Sequence, residues 1–201
     1  SRDLPFSYKV QTPEIHLTEH ARLFDNLDAL TEKTVTAPNV KSFEALKTAG
    51  GFVLYEADAE GWSECGKRRV TVGGVADRVT VYDGDEYLGM IDRDRAEEPI
   101  YADGTDRTVK IRVLCESVAR VNGGKKLDDD PKGVKYIAYD NAKLYGFKMS
   151  VLQMKDLSNV TYGPIGKLCD NDPAFFKGHF DAQAGVDTFL DMRGWGRGFV
   201  L

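Results

Sequence analysis

The residues with the most recognisable chemical spacing are His16 and His20, which lie in the stretch HLTEH. This spacing matches H-x-x-E-H, a zinc-protease motif in which both imidazoles bind zinc from one helix and the glutamate acts as base. Pro13 precedes the motif and Thr18 is a natural N-cap, so the helix would begin inside the motif and leave His16 on extended chain. No later helix offers an obvious third ligand. We therefore expect no zinc here.

A second cluster with metal-binding residue types is the acidic turn LDDDPKG, which contains Asp128, Asp129 and Asp130. Clustered carboxylates can bind calcium, but this turn lacks the alternating ligands and the closing glutamate of an EF-hand loop. A solvated turn that begins at Asp-Pro is the better interpretation. The sequence thus predicts no metal and no cofactor.

Nucleophilic and acid–base catalysis have no recognisable signature either. The 32 acidic residues are too many for spacing alone to select a catalytic pair, and no serine or cysteine nucleophile motif is present. Cys65, Cys115 and Cys169 form no C-x-x-C pair. Cys115 is predicted to be a buried, inert thiol on one face of a strand. The other residues of that face are Val109, Ile111 and Val113. If the protein is secreted, a disulfide between Cys65 and Cys169 is a separate alternative to free thiols at those two positions.

Composition limits the class of protein. The 201 residues are 42% hydrophobic and 29% charged, which is typical of a globular protein with one large or two small domains. The net charge of −5 argues against nucleic-acid binding, because phosphates require a basic surface. No apolar run has the length of a membrane span.

The elements that must position any site are mainly strands. Period-two alternation occurs in RRVTVGG, DRVTVYDGDEYLGMI and RTVKIRVLCE, and further strands in GVKYIAYDNAKLYGFKMSVLQM are broken at Asp140-Asn141 and Gly146. Asp83-Gly84 predicts a hairpin with a type I′ turn. Strands separated by turns indicate an all-β fold, an antiparallel jelly roll or β-sandwich.

Two short helices interrupt this pattern. One is predicted near residues 19–30, with Leu23, Leu27 and Leu30 on one face, and the other over residues 42–50. The second helix has Ser42 as its N-cap and Gly50 as its stop. Residues 156–172 lack periodicity and resemble a linker.

Five stretches resemble motifs of family 35 glycoside hydrolases, the acid β-galactosidases, in the family's order. They are GFVLY after SFEAL, DRVTVYDGDEYLGMIDR, VLCESVARVNGGKKLDDDPKG, PAFFKGHF and DTFLDMRGWGRGFVL. Departures are Glu56, where the family usually has arginine, and Ala119, where it has glycine.

The resemblance implies a first jelly-roll domain over residues 10–155, the linker over 156–172, and the first strands of a second jelly roll over 173–201. It also implies that the catalytic (β/α)₈ barrel, which carries both carboxylates, lies outside these residues. We therefore expect no galactoside hydrolysis by this chain alone. A parent chain would be a retaining β-galactosidase.

Three functions fit this resemblance. The chain is a non-catalytic region that supports the barrel of a parent β-galactosidase, a stand-alone carbohydrate-binding module, or a structural subunit in which a partner chain completes the second domain. Trp62 and Trp195 are the candidate sugar-binding residues, although Trp195, between glycines, is expected to be a packed corner residue. The compartment would be lysosomal or extracellular in a β-galactosidase, and organellar or another in a reused subunit. We favour a structural or interaction role.

Overall fold

The computed structural model describes residues 15–95, 98–118, 130–167, 171–181 and 190–201. Within these residues a 3-10 turn at Phe24–Asn26 leads into one short helix, α1 (Leu27–Leu30), and the other regular elements are strands. The strands are β1 (Leu17–Arg22), β2 (Thr31–Ala37), β3 (Gly51–Ala59), β4 (Lys67–Gly73), β5 (Arg78–Asp83), β6 (Glu86–Asp92), β7 (Ile100–Asp103), β8 (Val109–Ser117), β9 (Tyr136–Tyr139), β10 (Ala142–Lys143), β11 (Phe147–Leu152), β12 (Gly163–Pro164) and β13 (Ala174–Gly178).

These strands pair in antiparallel sheets. A six-stranded sheet has the order β2-β11-β3-β8-β5-β6, and a four-stranded sheet has the order β10-β9-β4-β7. A smaller sheet has the order β12-β1-β13. The all-β antiparallel sandwich predicted from the alternation is thus confirmed.

The main core lies between the six-stranded and four-stranded sheets. On β3, Val53 and Tyr55 face this core, and they pair with Cys115 and Val113 of β8. Successive side chains of a strand point to opposite faces, so every second residue of β8 is buried on the same side. The predicted buried face of β8 is confirmed: Val109, Ile111, Val113 and Cys115 are each at most 1% exposed.

The opposite face of the six-stranded sheet is buried as well. A second apolar cluster joins Leu54, Leu114 and Leu152 of this sheet to residues outside it. The covering residues come from β1, the 3-10 turn, α1 and the segment after β11, namely Ala21, Leu23, Phe24, Leu30 and Val160. The six-stranded sheet is therefore a central layer rather than an open face.

Two tight turns join neighbouring strands. Asp140 and Asn141 have φ values of 47° and 66° and connect β9 to β10, which is the pattern of a type I′ turn. Asp83 pairs with Glu86, so the other hairpin turns at Gly84-Asp85, and Gly84 has a φ of 58°. Positive φ at the first central residue alone is the type II′ pattern. The predicted hairpin is right, and its type I′ turn is wrong.

The predicted helix over residues 19–30 is largely wrong, because residues 17–22 form β1. That strand gains hydrogen-bonded neighbours on both sides, β12 and β13, which outweigh a weak helix propensity. Leu23, Leu27 and Leu30 nevertheless pack in one apolar cluster, as their spacing predicts.

Residues 42–50 contain one helical turn in place of the predicted helix. Ser42 accepts the Ala45 N–H on its Oγ at 3.2 Å, which is the predicted capping contact. The turn ends early because Lys47 has a φ of 59° and the Thr48 N–H donates to the Phe43 carbonyl, the pattern of a Schellman motif.

In the described residues no helix has both the length and the apolar character needed to cross a membrane.

Strand β1 pairs with residues far along the chain. His20 lies opposite Gly163 of β12 and Phe176 of β13, so the segment predicted as a linker contributes a short strand. The domain bounds 10–155, 156–172 and 173–201 remain a prediction.

Candidate functional site

The two histidines of the HLTEH motif lie at β1 rather than on a helix. His16 comes just before the strand and His20 is within it. His20 Nδ1 is 3.1 Å from the Pro164 carbonyl oxygen, and its ring stacks on Phe176 with centroids 6.3 Å apart. A strand cannot present the two imidazoles as one helix face does. The described residues contain no group of three or more His, Cys, Asp or Glu side chains placed to hold a metal ion.

Asp130 of the acidic turn belongs to a buried group of charges. Lys132 Nζ donates to Asp130 Oδ2 at 2.9 Å and to Asp77 Oδ1 at 2.8 Å, and the Lys132 side chain is 1% exposed. Arg93 also donates to Asp130, at 2.7 Å. Hydrogen bonds from Arg93 and Lys132 hold the pKa of the Asp130 carboxyl well below its usual range. Asp130 is therefore not the solvated turn residue that the sequence predicts.

The geometry of this charge cluster indicates a structural role, because its charges pair with one another. Two cations face two carboxylates, so each buried charge has a partner of opposite sign. Local sequence gives little warning of it, because Asp77, Arg93 and Lys132 come from three separate segments. The one signal is the lysine inside DPKG, which belongs to a stretch that resembles a motif of family 35 glycoside hydrolases. Asp128 and Asp129 lie outside the described residues.

The cysteines offer no accessible nucleophile in the described residues. Cys115 is fully buried, and burial raises the pKa of its thiol to about 12. Cys65 is a buried free thiol whose Sγ lies 3.3 Å from Tyr139 Oη. Cys169 lies outside the described residues, so the alternative disulfide stays a prediction.

Trp62 lies beside a cleft at one rim of the sandwich, where the end of β3 meets the β9–β10 hairpin. The residue is 44% exposed and lines a cavity of about 210 Å³. Three acidic residues, Asp58, Glu60 and Asp140, are also among the residues that line this cavity. The remaining lining residues are Ala59, Tyr139, Ala142 and Leu144. A concave site that combines an aromatic residue with apolar residues and a few polar ones is typical of small-ligand sites in general.

The position of Trp62 is fixed by its backbone. A Cβ atom on Gly61 would lie 1.8 Å from the Gly104 carbonyl oxygen, so only glycine fits there. The Trp62 carbonyl accepts hydrogen bonds from the N–H groups of Cys65 at 2.9 Å and Asp106 at 3.3 Å. These contacts therefore hold the backbone of Trp62 in place.

Arg68 lies over the Trp62 ring. Its guanidinium carbon lies 5.5 Å from the centroid of the Trp62 ring, a cation–π arrangement. Its Nε is 3.8 Å from Asp140 Oδ2. The sequence singled out Trp62 but none of its charged neighbours, because Asp140 is far from Trp62 along the chain.

Trp195, the other candidate, lies in a different environment. Its ring packs edge-on against Phe176, with centroids 5.3 Å apart, and it is 47% exposed. It does not line the cleft beside Trp62. The predicted packing contact is present, although the ring remains half exposed.

A chain of ion pairs links the sandwich to the segment around Asp172. Arg112 on β8 donates to Glu56 at 3.1 Å and to Asp85 at 2.5 Å. Arg22 on β1 lies 3.3 Å from the same Asp85 and 2.5 Å from Asp172. Glu56, the departure from the family's arginine, is thus paired with an arginine on the neighbouring strand.

Comparison with known proteins places these features in a family. Residues 41–153 match the family described as "Beta-galactosidase, first all-beta domain". The chain is 28% identical over 94% of its length to a Beta-galactosidase from Xanthomonas manihotis. It is 26% identical over 98% of its length to mouse Beta-galactosidase-1-like protein 3, and 28% identical over 96% to human Beta-galactosidase-1-like protein 2.

The aligned part is a limited share of each relative. The chain spans 30% of the bacterial and human proteins and 31% of the mouse protein. The domain match covers β3 to β11, which form most of the two main sheets. The chain belongs to the β-galactosidase family, through the first all-beta domain of its members.

Proposed function

We propose that this chain is a non-catalytic structural region of a β-galactosidase-like protein. The observation that carries the proposal is the burial of the six-stranded sheet on both faces. One face packs on the four-stranded sheet, and the other packs on β1, α1 and the segment that leads to β13. A region built in this way holds β13 and the residues near it against a rigid support.

Polar contacts at the same junction support this role. The Leu23 N–H donates to the Pro173 carbonyl at 2.8 Å, directly beside the Arg22–Asp172 ion pair. Asn26 bridges two segments, since its amide donates to the Arg22 carbonyl at 2.9 Å and accepts from the Thr161 N–H at 2.7 Å. Buried hydrogen bonds of this kind fix the orientation of one segment on another.

Exposed apolar side chains near Leu201 support an interaction with further protein. Leu190, Trp195, Phe199, Val200 and Leu201 are each close to half exposed or more. A cluster of exposed apolar residues marks a surface for protein contact. The partner that we propose is the catalytic region of the parent protein, because the relatives are about three times as long as this chain. A subunit of a larger assembly is the alternative.

Two measurements test the structural role. Purified chain, given a chromogenic β-galactoside at acid and neutral pH, is expected to show no turnover above buffer, beside an active β-galactosidase as positive control. Turnover that survives repurification would overturn the proposal.

The intact mass of the protein from its native source distinguishes the two proposed partners. A longer chain supports a parent enzyme, whereas a short chain with co-purifying proteins supports an assembly subunit.

Carbohydrate binding is a second candidate function, and it has one specific observation in its favour. Trp62 is exposed beside a cleft whose lining residues include Asp58, Glu60 and Asp140. An exposed indole is a suitable surface for the apolar face of a sugar ring. Binding of any saccharide to the purified chain, measured by saturation-transfer NMR, tests this function; no transfer to any saccharide contradicts it.

A further inference from the structure

We propose that Asn159 is the acceptor of an N-linked glycan, attached while the chain passes through a secretory pathway. Asn159 begins the stretch Asn159-Val160-Thr161, and no other asparagine of the sequence is followed two positions later by serine or threonine. Asn-x-Ser/Thr, with x other than proline, is the acceptor pattern for this modification. The inference goes beyond the structural role and does not depend on it.

The structure places both polar residues of this pattern on the surface. Asn159 lies in a turn between β11 and β12 and is exposed, as is Thr161. Val160 between them is 7% exposed and packs in the second apolar cluster. The middle residue therefore anchors the segment, while the residues on either side of it face solvent. A bulky hydrophilic glycan on Asn159 is compatible with this arrangement.

The side chain of Asn159 has no role in holding its own turn. Asparagine is common in turns because its side chain bonds to nearby backbone or because it tolerates positive φ. Within the described part of the chain, the Asn159 amide makes no hydrogen bond, and the residues with positive φ do not include it. Other side chains hold the turn: the Ser158 N–H donates to Asp156 at 2.9 Å, and the Asp156 N–H donates to Gln153 at 2.9 Å.

The hydroxyl of Thr161 is likewise unused by the fold. The Thr161 backbone N–H donates to Asn26 Oδ1 at 2.7 Å, a contact that every residue except proline could make. The hydroxyl itself has no hydrogen-bond partner among the described residues. Valine would have the same shape at this position. The group that the acceptor pattern requires is thus one that the fold does not need.

The reaction is a group transfer from a lipid-linked oligosaccharide diphosphate. The side-chain nitrogen of Asn159 attacks the anomeric carbon of the first sugar, and a C–N bond forms. The bond from that carbon to the phosphate oxygen breaks, and the lipid diphosphate leaves with the electron pair. One proton of the amide passes to a base of the transferase. This chain supplies the acceptor nitrogen and the hydroxyl of the pattern.

The described cysteines are compatible with an oxidising compartment. Cys65 and Cys115 are both buried free thiols. Exchange with external disulfides requires an accessible thiolate, so neither residue depends on a reducing environment.

Asn39 offers a matched internal control. Like Asn159 it is exposed and is followed by valine, but the third residue is Lys41 in place of threonine. A modification that depends on the acceptor pattern, rather than on exposure alone, leaves Asn39 unchanged.

Peptide mass spectrometry of the protein from its native cells tests the proposal. Peptide N-glycosidase in heavy-oxygen water releases an N-linked glycan and converts the asparagine that carried it to aspartate with one heavy oxygen atom. We expect this label at Asn159 and none at Asn39. Asn159 found as unmodified asparagine, before and after the enzyme, would overturn the proposal.

Variants of the chain form the second arm. The unchanged chain, secreted from cultured eukaryotic cells behind a signal peptide, is expected to lose mass on enzyme treatment and reach the mass of the bare polypeptide. Asn159→Gln and Thr161→Val should lack the glycan, whereas Thr161→Ser should keep it. Secreted and cell-retained protein are both measured, so a variant that is held back in the cell is still informative.

Two outcomes of this second arm would overturn the site. They are an unchanged chain without glycan and a Thr161→Val variant that keeps its glycan. Neither outcome changes the expected absence of galactoside turnover, so failure of the glycan site and failure of the structural role are distinguishable.

Discussion

Lys132 and Asp77 form a buried ion pair, with Nζ 2.8 Å from Oδ1 and 1% of the lysine side chain exposed. Asp130 and Arg93 complete the cluster. Its ion pairs connect the segment that contains Asp130 and Lys132 with Asp77, just before β5, and Arg93, just after β6. Lys132 depends on the two carboxylates, because an isolated charge at such a depth is strongly unfavourable. The DPKG stretch is therefore a structural determinant of the sandwich.

Replacement of Lys132 by methionine tests this cluster. The change keeps the side-chain length but leaves two carboxylates with one cation, so we expect a loss of about 3–5 kcal/mol in the free energy of unfolding. Urea denaturation followed by circular dichroism measures it. Lys155→Met, at an exposed position, is the matched control and is expected to stay within about 0.5 kcal/mol. An unchanged midpoint in Lys132→Met would contradict the role of the cluster.

The same cluster predicts an acid dependence of stability. Because Arg93 and Lys132 lower the pKa of Asp130 in the folded state, its contribution to stability is complete above the unfolded-state pKa of about 3.9. The contribution is lost as the pH falls from there toward the lower folded-state pKa. The difference in unfolding free energy between the unchanged chain and Asp130→Asn should therefore be constant above about pH 5 and shrink below about pH 4. Urea denaturation from pH 7 to pH 3 measures it, and a difference that grows on acidification would reverse the sign.

Local patterns predicted the sandwich well. Period-two alternation is a property of neighbouring residues, and it identified the buried face of β8 that ends at Cys115. Pairing between distant segments could not be found in this way. The segment 17–22 forms a strand because β12 and β13 lie beside it, and nothing in its own sequence identifies those partners.

The cleft was predicted only in part for the same reason. Trp62 was a candidate because tryptophan is rare and suits sugar contacts. Its neighbours Arg68 and Asp140 meet it only after β4 and β9 pair in the four-stranded sheet. The buried partners of Lys132 were likewise hidden, since a lysine in a turn is normally solvated.

The thiol of Cys115 is expected to resist alkylation while the chain is folded. The side chain is fully buried, and burial raises its pKa to about 12, so neither access nor thiolate is available at neutral pH. Iodoacetamide labelling with peptide mass spectrometry, in buffer and in urea, separates Cys115 from the other cysteines. Cys115→Asp should prevent stable folding, because an unpaired carboxylate would enter the core. Rapid labelling of the folded chain would show that this face of β8 is open.

The Arg22–Asp172 ion pair is expected to hold β13 on β1. Arg22→Gln removes the charge that pairs with Asp172 and Asp85, so the amide groups of residues 174–178 should exchange faster in hydrogen–deuterium exchange. Protection of β3 and β8 in the main core should not change. Arg193→Gln is the matched control, since Arg193 is almost fully exposed and pairs with nearby Asp191. If β13 exchanges no faster in Arg22→Gln than in Arg193→Gln, apolar packing alone fixes this strand.

Residues 190–201 are expected to exchange rapidly in the isolated chain. Among these residues the described backbone hydrogen bonds amount to one, from the Trp195 N–H to the Met192 carbonyl at 3.2 Å, and no strand is formed. Contacts between Arg197 and Glu116 at 3.0 Å, and between Phe199 and Phe52, attach side chains without protecting amide groups.

Hydrogen–deuterium exchange of a pure monomer should therefore show protection in β3 and β8 and little across 190–201. In the complete β-galactosidase-like protein the same amide groups should be protected, because the exposed apolar side chains are then covered. Strong protection of 190–201 in the monomer would mean that this segment needs no partner, and the interaction part of the proposed function would fail.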